Sequence, residues 1–145
     1  MNGQNINTNV KITKLADHTT TAQTAVASTA VDMAGFDNAL FLTTLGSFNA
    51  ANTVNLAQGD LANGSDAADL AGSKVIPTAN NQAVWLEAVK PKGRYLRLEV
   101  DRSGATTTVG EIWCIQSNGR VFPCDNLTTD VIIGEMHITP DEGTA

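Results

Sequence analysis

Apolar residues in this chain come in short runs, and most runs alternate with polar residues at every second position. Period two is the mark of a half-buried strand. In "GRYLRLEV", Leu96, Leu98 and Val100 share one face, while Tyr95, Arg97 and Glu99 share the other. "AVWLEAV" sets Val84, Leu86 and Ala88 against Trp85, Glu87 and Val89. "TVNLAQ" puts Val54 and Leu56 together. "ALFLTTL", from Ala39 to Leu45, lies between the turn signals "GFDN" and "GSFN" and reads as a buried strand. "VGEIWCIQ" predicts another strand, with Trp113 on the face of Val109 and Ile115 and therefore in the core. "VFPCDNLTTD" predicts a short strand broken at Pro123, and "VIIGEMHI" a last one.

Turn signals separate these runs. "KPKG" and "DRSG" punctuate the chain, and "SNGR" offers Asn118 and Gly119 for positive φ in a hairpin-type turn. "GDLANGSDAADLAGS" reads as a long turn-rich loop. Residues 1–29 are rich in Asn, Thr and Ala with few large apolar side chains; they read as an N-terminal arm that orders on a partner, or as an edge segment. The expected organisation is that segment, a β-sandwich domain over residues 30–139, and a polar tail over 140–145. The fold class is all-β: a β-sandwich or jelly-roll-like small barrel with a flexible N-terminal arm.

Charge narrows the function. Fifteen acidic residues face nine basic ones, for a net charge of -6. Affinity for nucleic acid comes mainly from Lys and Arg neutralising phosphates, so no nucleic-acid partner is expected. Anionic membrane surfaces are disfavoured for the same reason. No apolar run reaches the roughly 18 residues of a membrane span. The first residues show no basic region followed by an apolar stretch, so synthesis in a cytoplasm is expected, with any position outside a cell reached as part of a particle. Only 17% of residues are charged, against about 25% in ordinary globular domains. Low charge fits a surface partly covered by partners, since interface cores are depleted in charge.

Candidate chemistry is sparse. Cys114 and Cys124 lack metal-ligand spacing; they read as buried free thiols, with a cross-strand disulfide or a zinc site completed by His137 as the alternatives. Asp60, Asp66 and Asp69 lack the calcium-loop pattern and read as a solvated acidic loop. No glycine cluster matches a nucleotide-binding motif, and no nucleophile, base and orienting group recur at a recognisable spacing. His18 and His137 read as exposed or interface residues. Trp85 is expected in the core against a second layer, with a partner-facing position as the alternative. No catalytic residue, metal or cofactor is therefore expected, and the protein is not expected to be an enzyme.

The segment "KPKGRYLRLEV" carries four of the nine basic residues and poses the sharpest choice. It is either a basic patch or a turn followed by a half-buried strand with a polar outer face. Lys90 and Lys92 fall in the turn, and Arg97 has Glu99 beside it on one face, which favours the second reading.

Two stretches, "VDMAGFDNALFLTTLGSF" and "LAGSKVIPTANNQAVWLEAVKPKGRYLRLEVDRSGATTTVGEIWCIQ", together with the polar ending near "EGTA", resemble the capsid decoration, or cement, proteins of tailed bacteriophages. The resemblance spans roughly residues 31–116 and the tail. It implies a jelly-roll or sandwich fold, a homotrimer clustered where capsomers meet, the major capsid protein as partner, and a place on the capsid exterior of the virion. "GRYLRLEV" is also similar to a strand of discoidin-type sugar-binding jelly rolls, so a carbohydrate-binding module of a phage or bacterial surface protein is the alternative. The expected interface residues are Trp85, Arg94, Tyr95, Arg97 and His137.

Overall fold

The computed structural model describes residues 5–126, 129, 131–137 and 143. A single helical turn, α1 (Ile6–Asn9), precedes eleven strands. They are β1 (Lys11–Ala16), β2 (Thr19–Ala22), β3 (Val26–Ala27), β4 (Val31–Asp32), β5 (Phe36–Leu45), β6 (Thr53–Gly59), β7 (Ala68–Asp69), β8 (Gln82–Val89), β9 (Tyr95–Asp101), β10 (Thr107–Val109) and β11 (Ile112–Gly119). One sheet runs β1-β11-β5-β10-β2, with β8 also paired to β5. The other runs β3-β9-β6-β7, with β4 also paired to β9. All of the pairs are antiparallel. The chain passes repeatedly from one sheet to the other, and the fold is an all-β sandwich.

Alternation builds the core. Leu96, Leu98 and Val100 of β9 and Val54 and Leu56 of β6 meet Phe41 and Leu45 of β5, Val84 and Ala88 of β8, and Ile112 and Cys114 of β11. Both faces of β6 are covered, because Asn55 and Ala57 are buried as well. The 60–67 loop covers part of that outer face: a Cβ on Gly64 would come within 2.7 Å of the Arg97 guanidinium.

Polar groups inside the sandwich replace missing backbone partners. The Asn52 side-chain amide donates to the Ala105 carbonyl (3.0 Å) and accepts from the Ala105 N–H (3.1 Å), copying a strand pair. Gln116 donates to the Asp32 carbonyl (2.8 Å), tying β11 to the strand β4 of the opposite sheet. Arg102, only 3% exposed, donates to the carbonyls of Thr24 (2.6 Å), Thr20 (2.9 Å) and Thr107 (2.7 Å). A buried charge is tolerated only when its donors are satisfied. Here backbone oxygens from three places do that work.

Several sequence expectations need correction. Of the two readings of residues 1–29, the described residues from 5 onward follow the edge segment and not the free arm: β1 and β2 are edge strands of one sheet and β3 of the other. Trp113 is half-buried on the outer face, and Ile112, Cys114 and Gln116 take the core. The phase slips because Gly110 and Glu111 interrupt the chain between β10 and β11, so Val109 and Ile112 both point inward. Trp85 is 64% exposed, because Val84 and Ala88 already fill the inner face and no second layer lies over the outer one among the described residues. "VFPCDNLTTD" and "VIIGEMHI" form no strand among their described residues, and the last strand of the described residues ends at Gly119. A run becomes a strand only beside a partner, and none of the described residues of these two runs pairs with a strand. Asn118 does take positive φ (55°), but no strand follows it among the described residues to make a hairpin. In the tail, only Gly143 lies within the described residues.

Two substitutions separate core packing from the buried guanidinium. Leu98→Ala is expected to cost about 2–5 kcal/mol by opening a cavity. Arg102→Met, which keeps much of the side-chain volume, is expected to cost roughly 2–4 kcal/mol because the carbonyls lose their donors. Arg102→Lys, which keeps the charge and loses the fork, is expected to recover only part of that. Urea unfolding of the three variants checks the order.

Candidate interaction surfaces

The basic segment is built as a turn and a strand. Lys90 takes positive φ (50°), and a Cβ on Gly93 would sit 3.0 Å from the backbone N and O of Gly59, so a larger residue there would have to push the Gly59 backbone aside. The Gly93 N–H donates to the Gln58 side chain (3.1 Å), and the Arg94 carbonyl accepts from Met33 (2.8 Å). Beside the turn lies an open cleft of about 760 Å³ whose charged lining is Asp37, Asp60, Lys90, Lys92, Arg94 and Arg120.

Half of these six charges are already matched in ion pairs. Arg94 makes a two-pronged contact with Asp32 (3.0 and 2.9 Å) and lies 5.3 Å from the centre of the Tyr95 ring. The hydrogen bonds from Arg94 hold the Asp32 carboxyl below its ordinary range, helped by the Ala34 N–H and opposed by partial burial. Arg120 approaches Asp37 at 3.8 Å. Lys90 and Lys92 form no ion pair among the described residues. Arg97 points to the outer face of β9 but binds Glu99 (2.7 Å) and lies under the Gly64 loop, so it is less open than its alternation implies. The segment is a structural strand whose turn leaves two free lysines at the rim of a cleft.

A different surface carries the apolar exposure. Strand register aligns Lys14, Trp113, Leu42 and Trp85 in one row across β1, β11, β5 and β8. Ile12, Ile115, Leu40 and Glu87 form the next row. Both rows lie on the outer face, since their sequence neighbours Phe41, Val84 and Cys114 point into the core. At one end Lys14 binds Asp17 (2.8 Å) and Glu111 (3.0 Å), and the Trp113 indole donates to Glu111 (3.1 Å). At the other end Trp85 and Val89 are 64% and 62% exposed. Beyond β8 the sandwich is open: clefts of about 610 and 740 Å³ run along that strand, between it and the 69–78 segment.

The five expected interface residues therefore do not form one patch. Trp85 belongs to the outer face of one sheet; Tyr95 and Arg97 belong to the outer face of the other, with Arg94 at its margin. His137 lies outside the strands, exposed and 2.9 Å from Glu135. The strand register adds Leu40, Leu42, Trp113 and Ile115 to Trp85, which pattern reading assigned separately. The acidic loop turns inward on itself. Asp66 accepts from the N–H groups of Asp60 (2.7 Å) and Leu61 (3.1 Å), which pull its carboxyl below the ordinary range, and Asp69 accepts from Asn55 (2.9 Å). Both thiols are free, with Cys114 in the core and Cys124 partly exposed. No protein-family model, curated protein or solved structure matches the chain.

Two measurements follow from these electrostatics. Burial pushes the Cys114 thiol up to about 12. Alkylation needs access to the thiol and its thiolate, and Cys114 offers neither in the folded chain, so in the native state the partly exposed Cys124 is expected to alkylate and Cys114 only after unfolding. Mass spectrometry of native and denatured samples checks this. For Asp32 the folded carboxyl is depressed, so the Arg94 contact contributes above the unfolded value of about 3.9 and is lost as pH falls through the folded one. Carboxyl-carbon NMR is expected to show Asp32 titrating below the ordinary range and moving upward in Arg94→Ala.

Proposed function

We propose that this chain is a non-catalytic virion structural protein that decorates and stabilises a bacteriophage capsid. Its partners in this reading are the major capsid protein and further copies of itself, on the capsid exterior. No cofactor, nucleic acid or membrane takes part. The family and the copy number of three come from the resemblance of residues 31–116 alone. The observation that supports an assembly role independently is the apolar outer face of the first sheet, from Trp113 through Leu42 to Trp85. Contiguous apolar exposure rimmed by polar groups marks interaction sites. Aromatic residues dominate such sites because they bury a large area at low entropic cost.

A cement role needs little from each contact. Copies held on a lattice engage many sites at once, and linked sites multiply modest affinities. A sandwich with one apolar outer face suits bridging of neighbouring shell subunits. The alternative, a carbohydrate-binding module, has a natural seat in the cleft by the 90–94 turn, where charged groups and Phe36 face a common space.

Co-sedimentation with empty phage shells tests the reading. Binding is expected, and Trp85→Ala is expected to weaken it roughly tenfold or more while leaving the melting temperature nearly unchanged. A chain that binds no shell, yet is retained on a glycan array and released by Arg94→Ala, would move the function to sugar binding.

A further inference from the structure

The edge strand β8 has an unused side. Its eight residues pair with β5 without a bulge, from Asn38↔Val89 to Leu45↔Gln82. The Lys90 N–H donates to the Asp37 carbonyl, which sets the phase of that ladder. The opposite side of β5 agrees: Gly110 donates to the Thr44 carbonyl and Gly46 to the Thr108 carbonyl, so even-numbered groups of β5 face β10. Odd-numbered groups of β5 therefore bond the even residues of β8. The N–H and C=O groups of Ala83, Trp85, Glu87 and Val89 point away from the sheet. They have no partner among the described residues.

Edges of this kind are normally guarded by charge, proline, bulges or a covering segment. β8 has one charged residue, Glu87, and no proline or bulge. The clefts beside it leave room for another strand, over a floor that includes Leu56, Leu70, Val75 and Ile76. Ile76 is exposed and Leu86 is half-buried, so an added strand would cover apolar surface as well as satisfy backbone groups.

The geometry points to a second copy of this chain as the occupant, with β8 pairing antiparallel to β8 about a two-fold axis. The outward-facing groups run from residue 83 to residue 89, so their centre is Leu86. A two-fold at Leu86 engages all of them: Ala83 opposes Val89 of the second copy, and Trp85 opposes its Glu87. Only registers that pair odd residues with odd are allowed, because both members of a bonded pair must point outward. Moving the axis by one residue toward Glu87 sets two carboxylates face to face, and moving it toward Trp85 shortens the overlap. The register centred on Leu86 keeps like charges apart and uses the full edge. Each copy's β8 then fills the other's groove, and the apolar rows ending at Trp85 join into one surface across the axis. This contact is isologous, so it closes at two copies, or at six if a threefold is also present. It does not depend on what the assembled face then binds.

The test uses the full chain with Cys124→Ser, leaving the buried Cys114 in place. Leu86→Cys puts two thiols opposite each other in a non-bonded pair, within disulfide reach. Mild oxidation is expected to give a covalent dimer. Ala83→Cys alone is expected to give none, because its opposite number is Val89. Sedimentation equilibrium of the unmodified chain is expected to give a dimer or a hexamer. Glu87→Pro removes an N–H that the β5 ladder does not use, and is expected to give a folded species of half the mass or, from a hexamer, a trimer. A concentration-independent monomer, a trimer unchanged by Glu87→Pro, or equal cross-linking at positions 83 and 86 would each overturn the proposal. A dimer paired in this way that binds no shell would remove the capsid reading and leave this one standing; a shell-binding monomer would do the reverse.

Discussion

The Arg102 guanidinium holds together parts of the chain that have little other reason to stay. Residues 17–30 contain mostly Thr, Ala and Ser, and bury little apolar area. Ordering such a segment costs about 1–2 kcal/mol per residue in backbone entropy. Against that cost, Arg102 binds the carbonyls of Thr20 and Thr24 on one side and of Thr107 on the other. It stands where the chain leaves β9 for β10, and it reaches the stretch that leaves β2 for β3. Both crossings between sheets are thus fastened at one buried charge. Ser28 supplements it, exchanging backbone and hydroxyl hydrogen bonds with Leu98. What would otherwise be a loose arm becomes a wall of the sandwich.

With the N-terminal strands in place, β1 and β2 form one margin of the first sheet and β8 forms the other. The long β5 lies between β11 and β8, so Trp85, the most exposed aromatic side chain among the described residues, sits on an edge strand with one unpaired side. The outer face and the free edge meet at Trp85. An interaction surface follows from this coincidence of side chain and backbone. The turn at 90–94 sits at the end of the same edge, and its matched charges hold β4 and β9 together rather than advertising a basic patch.

Alternation makes the core of β9 legible in the sequence: Leu96, Leu98 and Val100 are all buried. The same rule carried one step further places Arg102 inward, since it shares their phase. The charge of the side chain and the Ser-Gly beside it hid that step and made the stretch read as a turn. In β11 the rule failed at a break. The phase of Val109 does not survive Gly110 and Glu111, so Trp113 moved to the outer face and Gln116 into the core. "VIIGEMHI" shows the other limit of pattern, because its described residues pair with no strand despite their β propensity. The row from Lys14 to Trp85 was not legible, because it joins residues from four strands and requires their register.

Amide hydrogen exchange of β8 at low and high protein concentration tests the open edge most directly. The amides of Leu86 and Ala88 are expected to be slow at both, since β5 holds them. Those of Trp85, Glu87 and Val89 are expected to exchange quickly when dilute and slowly when concentrated. Protection of all five at every dilution would mean that the chain covers its own edge, and fast exchange of the odd-numbered three at every concentration would mean that no second copy does; either result contradicts the account.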